Sequence, residues 1–233
     1  MKKNNFAIQQ KIESDFHLIY IVSNSINQKS LIKYVKGFRR TKNTIKDIYK
    51  KLENIKHNNL IEIYDVVTIK DDFFVHMQYV KGKTLNQYIK RKYYYINDKS
   101  LNILKNLFTN IAITIDFLHK NNIVHTDIIG ANIMVDDELK ITIIDFDFAL
   151  ILDKEIDGAV NIDIYGFVVM FSQILYEQIY LNKNYSLFNN DNISIKKNIL
   201  KDFISKKGLE KYTTCMAFIE DIFKNNNKVI NND

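Results

Sequence analysis

The amino-terminal part of the chain alternates between apolar and polar positions in the way that half-buried strands do. The alternating runs cover residues 6–8, 18–22, 31–35, 60–69 and 73–80. Between the third and fourth runs, apolar residues recur at helical spacing over residues 45–55, after the cap candidates Asn43 and Thr44. This pattern predicts an antiparallel sheet with one helix over residues 1–80.

After residue 85 the pattern becomes mainly helical. Helical spacing covers residues 85–94, 100–121 and the stretch from 162 to the end, and a strand-rich block lies at 123–144. The boundary between the two patterns falls at Lys81-Gly82-Lys83. We therefore expect an α+β fold of two lobes, an N-lobe over residues 1–80 and a mainly helical C-lobe over residues 81–233.

Composition limits the class of protein. The chain has 233 residues, one cysteine (Cys215) and no proline, and its apolar runs, such as residues 167–171, do not exceed five residues. A single cysteine excludes an internal disulfide framework, and the apolar runs are too short for a spanning helix. Because the start of the chain also lacks the apolar segment of a signal peptide, we expect a cytoplasmic location.

The charge is mildly basic, with a formal net value of +6. A run of basic residues at 90–92 is followed by three tyrosines, and further basic residues lie at 36, 39 and 40. Such a run is more often the solvated end of a helix than a nucleic-acid site. We therefore expect no nucleic-acid partner, and a peripheral contact with the inner face of a membrane stays open.

Polar residues stand at the ends of apolar segments within the strand-rich block. His125, Asp127 and Asn132 fall in a loop ahead of a short strand-like run, and Asp145 ends the next run. Mg²⁺ prefers hard oxygen ligands, usually one or two carboxylates together with phosphate oxygens. A further carboxylate must orient the hydroxyl that accepts a phosphoryl group. The spacing therefore favours Mg-nucleotide chemistry.

This block resembles the catalytic core of the protein-kinase-like superfamily, whose signatures are a His-Arg-Asp…Asn loop and an Asp-Phe-Gly motif. Asn132 stands five positions after Asp127, and Asp145 stands thirteen positions after Asn132, as in that family. The resemblance implies a phosphotransferase that uses ATP and Mg²⁺. Asp127 would orient or deprotonate the acceptor, and Asn132 and Asp145 would hold the Mg²⁺.

The resemblance extends to the nucleotide side. The third alternating run resembles the strand whose lysine contacts the α- and β-phosphates, which implies this role for Lys33. The fifth run resembles the last N-lobe strand and the hinge of the family. By that likeness Met77 would be the gatekeeper, and the backbone of Gln78 and Val80 would bond adenine.

The helix glutamate that pairs with this lysine in the family has no clear counterpart. Counting back from His57, which begins a stretch similar to the family's turn after the helix, arrives at Ile48. The adjacent Asp47 is the candidate that we name for the partner of Lys33.

The phosphate loop of the family is also absent, because no glycine precedes Gly37. Glycine lets the backbone approach phosphate closely, whereas the acids Glu13 and Asp15 in this segment would repel it. This departure predicts a weaker grip on ATP.

Further departures lie around the catalytic loop. Thr126 replaces the arginine of His-Arg-Asp, so the loop lacks the cation that would bind a phosphorylated residue of the activation loop. Ile129 stands where serine/threonine kinases carry a lysine, and Asp147 replaces the glycine of Asp-Phe-Gly. For Asp147 we favour a solvated position over a second metal contact. Only fifteen residues separate it from Asp163, which resembles the family's brace of the catalytic loop.

Three functions follow from the resemblance. The leading one is an active ATP-dependent phosphotransferase, a small atypical serine/threonine protein kinase. The alternative is a sugar or lipopolysaccharide-core kinase, since the short activation segment and the Ile-Asp-Phe-Asp run are similar to Kdo- and heptose-type kinases. A protein hydroxyl and a saccharide or glycolipid hydroxyl are thus both expected as acceptors, the protein slightly ahead. The third is a pseudokinase that keeps the fold as a scaffold. Its support is the missing phosphate loop and the expectation that Lys33 is unpaired.

Overall fold

The computed structural model describes residues 6–13, 17–35, 42–70, 72–92, 98–152, 158–181 and 211–224. Its N-lobe is built on five antiparallel strands: β1 (Ala7–Glu13), β2 (His17–Ser23), β3 (Lys29–Val35), β4 (Ile63–Ile69) and β5 (Asp72–Gln78). They form one sheet in the order β1-β2-β3-β5-β4. The register pairs Lys33 of β3 with Ile19 of β2 and with Val75 of β5.

Alternation along β3 and β5 gives the sheet two different faces. Val35, Val75 and Met77 are buried on one face, whereas Phe74 and His76 are only half-buried on the other. Lys33 shares the buried face, with 4% of its surface exposed. A buried lysine needs an anionic partner, so its position in the sheet already marks a site.

The helix α1 (Lys42–Glu53) covers this buried face. Its apolar residues Ile45, Ile48, Tyr49 and Leu52 follow the spacing of one helical stripe, and all four are buried. The helix contacts β4 and β5. Packing of this stripe fixes which side chains of α1 face Lys33.

The C-lobe combines helices with short strands. In chain order these are β6 (Lys83–Thr84), α2 (Leu85–Lys92), α3 (Asp98–Lys120), β7 (Ile123–Val124), β8 (Ile133–Val135), β9 (Ile141–Ile143), β10 (Leu150–Ile151), α4 (Val160–Leu181) and α5 (Cys215–Lys224). The strands form two small sheets, β6-β8-β9 and β10-β7. Residues 123–151 are therefore strands joined by loops, and the polar motif residues lie in those loops.

Aromatic packing holds the helices of the C-lobe together. Phe108 of α3, Phe171 of α4 and Phe218 of α5 are buried and meet edge to face. Asp116 of α3 also accepts hydrogen bonds from the first backbone N–H groups of α5, at 2.9 Å from Cys215 N. A carboxylate at a helix N-terminus satisfies donors that have no partner within the helix.

The connection between the lobes is tied to the C-lobe. β6 pairs with β8, and a Cβ atom on Gly82 would lie 2.4 Å from the carbonyl oxygen of Val135. Only glycine permits so close an approach. The division of the chain at Lys81-Gly82-Lys83 stays a prediction.

The expected α+β fold of two lobes is confirmed. The first strand was expected only at residues 6–8, but β1 extends to Glu13 because its pairing with β2 continues through exposed polar residues. No helix in the described ranges is long and apolar enough to cross a membrane. The basic residues at 36, 39 and 40 and the tyrosines at 93–95 lie outside the described residues.

Candidate active site

The loop between β7 and β8 is held by a buried carboxylate. Asp163 of α4 is fully buried and accepts hydrogen bonds from the backbone N–H groups of His125, at 2.8 Å, and Thr126, at 2.7 Å. Its Oδ2 also lies 2.9 Å from His119 Nε2. These bonds fix the backbone immediately before Asp127, in the bracing position that the sequence predicts for Asp163.

His125 fixes the same loop from inside. Its ring is buried, Nε2 lies 3.0 Å from the carbonyl oxygen of Ile144, and Nδ1 lies 3.3 Å from the backbone N of Asp127. A carbonyl can only accept, so Nε2 carries the proton and Nδ1 accepts from the Asp127 N–H. The neutral imidazole therefore links the catalytic loop to the end of β9.

Asp127 and Asn132 are brought together by this loop. Asn132 Nδ2 donates to Asp127 Oδ2 at 2.8 Å and to the backbone oxygen of Asp127 at 3.1 Å. Asn132 is buried and Asp127 is half-buried. Because both amide donor bonds go to Asp127, the carbonyl oxygen Oδ1 of Asn132 is the atom suited to a cation.

Asp145 follows β9 in an unusual backbone conformation. Its φ is +64°, a left-handed value that aspartate tolerates better than most residues. The next residue, Phe146, is fully buried and its ring lies 4.6 Å from the ring of His125. Packing of Phe146 thus compensates for the strained turn and directs Asp145 towards Lys33.

Lys33 meets two carboxylates. Its Nζ lies 2.8 Å from Asp145 Oδ1 and 2.8 Å from Asp147 Oδ1. Burial by itself would lower the pKa of Lys33, but the charges of Asp147 and Asp145 and their hydrogen bonds outweigh it, so the pKa of Lys33 is raised. The lysine is therefore a firmly charged ammonium at neutral pH.

Two expectations about this cluster are wrong. Asp147 is not solvated: its side chain is only 10% exposed and it contacts Lys33. Asp47 is not the partner of Lys33, because its side chain is exposed on α1 while the carboxylates at the lysine belong to Asp145 and Asp147. Helical geometry explains the second error, since Tyr49, two positions after Asp47, lies on the buried stripe of α1 and faces the lysine.

Tyr49 is the residue of α1 that enters the site. Its hydroxyl donates to Asp147 Oδ1 at 2.5 Å, and Lys33 Nζ lies 3.4 Å from the same hydroxyl. Burial, followed by the charges of Asp147 and Asp145, raises the pKa of Tyr49 well above its usual value. Two departures from the family pattern in the sequence could have indicated this cluster. The helix lacks its glutamate at the expected position, and position 147 carries an additional aspartate.

On the side expected to bind adenine, one backbone donor already has a partner within the protein. Met77 is buried, and the backbone N–H of Gln78 donates to the carbonyl oxygen of Glu62 at 2.9 Å. A bond from Gln78 to adenine would therefore come from its carbonyl. Val80 is half-buried against the core, just beyond β5.

The donor set fits Mg²⁺ with a nucleotide. Asn132 and Asp145 offer hard oxygens, which suits a cation that takes its other ligands from phosphate and water. Within the described residues, no group of three or more His, Cys, Asp or Glu side chains is placed to hold a metal ion.

The segment expected to replace the phosphate loop is described in part. Glu13, at the end of β1, forms an ion pair with Lys11 at 2.8 Å, and both side chains are about half exposed. Asp15 lies outside the described residues. Glu13 therefore has a cation beside it, which reduces the repulsion that its charge would exert on phosphate.

The start of the activation segment is fixed by Thr126. Thr126 Oγ1 donates to the carbonyl oxygen of Phe148 at 2.6 Å, and the φ of Thr126 is +64°. A neutral hydroxyl thus makes the contact between the catalytic loop and this segment. Residues 153–157 lie outside the described residues.

A groove of about 370 Å³ lies beside the catalytic loop, between α2 and α4. Its lining combines the apolar residues Ile89, Ile128, Ile129, Val169, Met170 and Ile174 with the polar residues Asn86, Lys90, Tyr165 and Gln173. Ile129 and Tyr165 are exposed. A Cβ atom on Gly130 would lie 2.1 Å from Asn86 Oδ1, so the side chain of Asn86 would have to move to admit any other residue here.

Comparison with known proteins identifies the same region. The model of the protein kinase domain family matches residues 18–160. A probable serine/threonine-protein kinase of Clostridium acetobutylicum is 41% identical over 96 residues, which is 41% of this chain and 14% of that protein. The serine/threonine-protein kinase PrkC of Bacillus subtilis is 34% identical over 101 residues, or 43% of this chain and 15% of that protein.

A plant protein gives a similar match. Mitogen-activated protein kinase kinase kinase 5 of Arabidopsis thaliana is 30% identical over 100 residues, which is 43% of this chain and 14% of that protein. The matched stretch thus spans about one seventh of the length of these relatives.

Proposed function

This chain belongs to the protein kinase family, and from that premise we propose that it transfers the γ-phosphate of ATP to a hydroxyl group, in the manner of a small atypical serine/threonine kinase. The observation that carries the proposal is a pair of direct contacts, Asn132 with Asp127 and Lys33 with Asp145. A backbone hydrogen bond from Ile144 N to the carbonyl oxygen of Asn132 joins the two segments that carry them. We also propose a cytoplasmic location, where ATP is available.

Each residue has a distinct role in this proposal. Asp127, half-buried beside Asn132, accepts or orients the proton of the acceptor hydroxyl. Asn132 Oδ1 and Asp145 hold Mg²⁺, which when bound neutralises charge on the phosphates. Lys33 contacts the phosphates as a fixed ammonium. Positioning and charge neutralisation account for most of the rate in phosphoryl transfer.

A protein is the acceptor that the groove beside Asp127 favours. Ile128 and Ile129 line this groove and offer apolar contacts to a hydrophobic side chain next to the accepting serine or threonine. The three relatives compared above bear the names of protein kinases.

A non-catalytic scaffold is the second candidate. The segment without glycine before Gly37 favours it, because glycine is what lets a backbone loop approach phosphate closely. On this alternative the chain binds partners through the kinase fold and transfers no phosphate.

Transfer from labelled ATP separates these candidates. We expect the wild-type chain to label itself or a protein pool, and we expect no labelling of a glycolipid pool. Asp127→Asn should lower transfer by about 100-fold or more, because it removes the carboxylate from the acceptor. Asp137→Asn, an exposed aspartate in the turn between β8 and β9, is the matched control and should transfer normally. Labelling of glycolipid instead of protein would overturn the protein acceptor, and equal transfer by Asp127→Asn would overturn the proposed role of Asp127.

A further inference from the structure

The two carboxylates that meet Lys33 differ in their surroundings. The side chain of Asp145 is 29% exposed, whereas that of Asp147 is 10% exposed. Asp145 is therefore accessible to a cation from the cleft. Asp147 lies deeper, between Lys33 and α1.

Charge balance assigns different tasks to these carboxylates. A divalent cation on Asp145 would compete with Lys33 for that carboxylate. Asp145 would then be shared with the cation. A buried ammonium left without a full anionic partner is strongly unfavourable, so Lys33 needs a second carboxylate that does not take part in metal binding.

Tyr49 ties that second carboxylate to the helix. Asp147 Oδ1 accepts from the Tyr49 hydroxyl at 2.5 Å and from Lys33 Nζ at 2.8 Å. All three side chains are buried or nearly so. The helix thus reaches the lysine through a hydroxyl and a carboxylate that belongs to a different part of the chain.

We propose that Asp147 is the positioning residue that holds Lys33 towards the phosphates of a bound nucleotide, with Tyr49 linking this pair to α1. The inference rests on the proposed function of the site. In this arrangement the carboxylate that pairs with Lys33 follows β9, next to the buried Phe146, and does not belong to the helix α1. The packing of Phe146 then sets the orientation of Lys33, and α1 contributes to it through Tyr49.

The role of Asp147 is tested by removing its carboxylate and then placing a carboxylate on α1 instead. Asp147→Gly and Asp147→Asn should weaken the affinity for a non-hydrolysable ATP analogue with Mg²⁺ by about tenfold and lower turnover by about 100-fold, because Lys33 loses its position. The double variant Asp147→Gly/Tyr49→Glu places a carboxylate on α1 instead. We expect it to recover at least about tenfold of the turnover lost in Asp147→Gly. Asp137→Asn is again the control.

A thermal double-mutant cycle without nucleotide tests the contact itself. Lys33→Met and Asp147→Asn should each lower Tm, and their combination should lower Tm by clearly less than the sum, because each single change already removes the contact between the two buried groups. Additive losses would overturn the proposal, as would unchanged affinity and turnover in both Asp147 variants. If the wild-type chain neither binds nor transfers phosphate, the proposed function fails, and the cycle still decides whether Asp147 holds Lys33.

Discussion

The two halves of the site differ in how far they keep the pattern of the family. In the C-lobe, Asp127, Asn132 and Asp145 stand at the family spacing, and their loop is held by buried contacts to Asp163. In the N-lobe, the glycine loop and the helix glutamate are absent, and only Lys33 is retained. The comparison indicates that the three residues proposed for catalysis and metal binding keep their spacing even though Thr126 and Ile129 differ from the family, whereas the residues around Lys33 are replaced by others.

Removal of the brace in the C-lobe should have the largest effect. Asp163→Ala leaves the N–H groups of His125 and Thr126 without their acceptor, which should cost about 3 kcal/mol of the free energy of unfolding. Denaturant titration measures this. Asp47→Ala, an exposed aspartate of α1, is the control and should change stability by about 0.5 kcal/mol or less. Equal losses of stability in the two variants would show that Asp163 does not brace the catalytic loop.

A smaller effect is expected at the start of the activation segment. Thr126→Ala removes the hydrogen bond to Phe148 and should lower turnover by about fivefold, which corresponds to roughly 1 kcal/mol. Thr126→Ser keeps the hydroxyl and should restore most of the loss. Because Thr126 cannot receive a phosphate as arginine does, treatment with a phosphatase should leave turnover unchanged. A strong drop after that treatment would show that phosphorylation assembles this segment.

The smallest effect concerns pH and the contact between the lobes. His57 stacks on Phe117 of α3, and burial lowers its pKa below 6.5. The folded state therefore favours the neutral ring, so this contribution to stability is present above pH 6.5 and is lost as pH falls through the lowered pKa. The loss should be about 0.5 kcal/mol or less, since solvent screens the partly exposed ring. Denaturant titrations of wild type and His57→Gln at several pH values measure it, and the variant should lack this part of the pH dependence. Identical profiles would exclude His57 as its source.

The sequence predicts the catalytic loop well because its information is local. Asp127, Asn132 and Asp145 are recognised from spacing alone, and the alternation along β3 places Lys33 on a strand with one buried face. The partners of Lys33 are not local. Asp147 lies 114 positions away in sequence, and Tyr49 reaches it only through the rotation of α1 on the sheet. Counting along the helix selects Ile48 and Asp47, whereas packing of the buried stripe selects Tyr49.

Stabilisation by nucleotide tests the central claim most directly. At ATP and Mg²⁺ concentrations about 100 times the dissociation constant, binding should add about 2.7 kcal/mol to the stability of the wild-type chain, which corresponds to a rise in Tm of roughly 5–10 °C. Asp145→Asn should lose the part of this rise that depends on Mg²⁺, and Asp137→Asn should keep it. A wild-type Tm that does not move with ATP and Mg²⁺ would contradict the account.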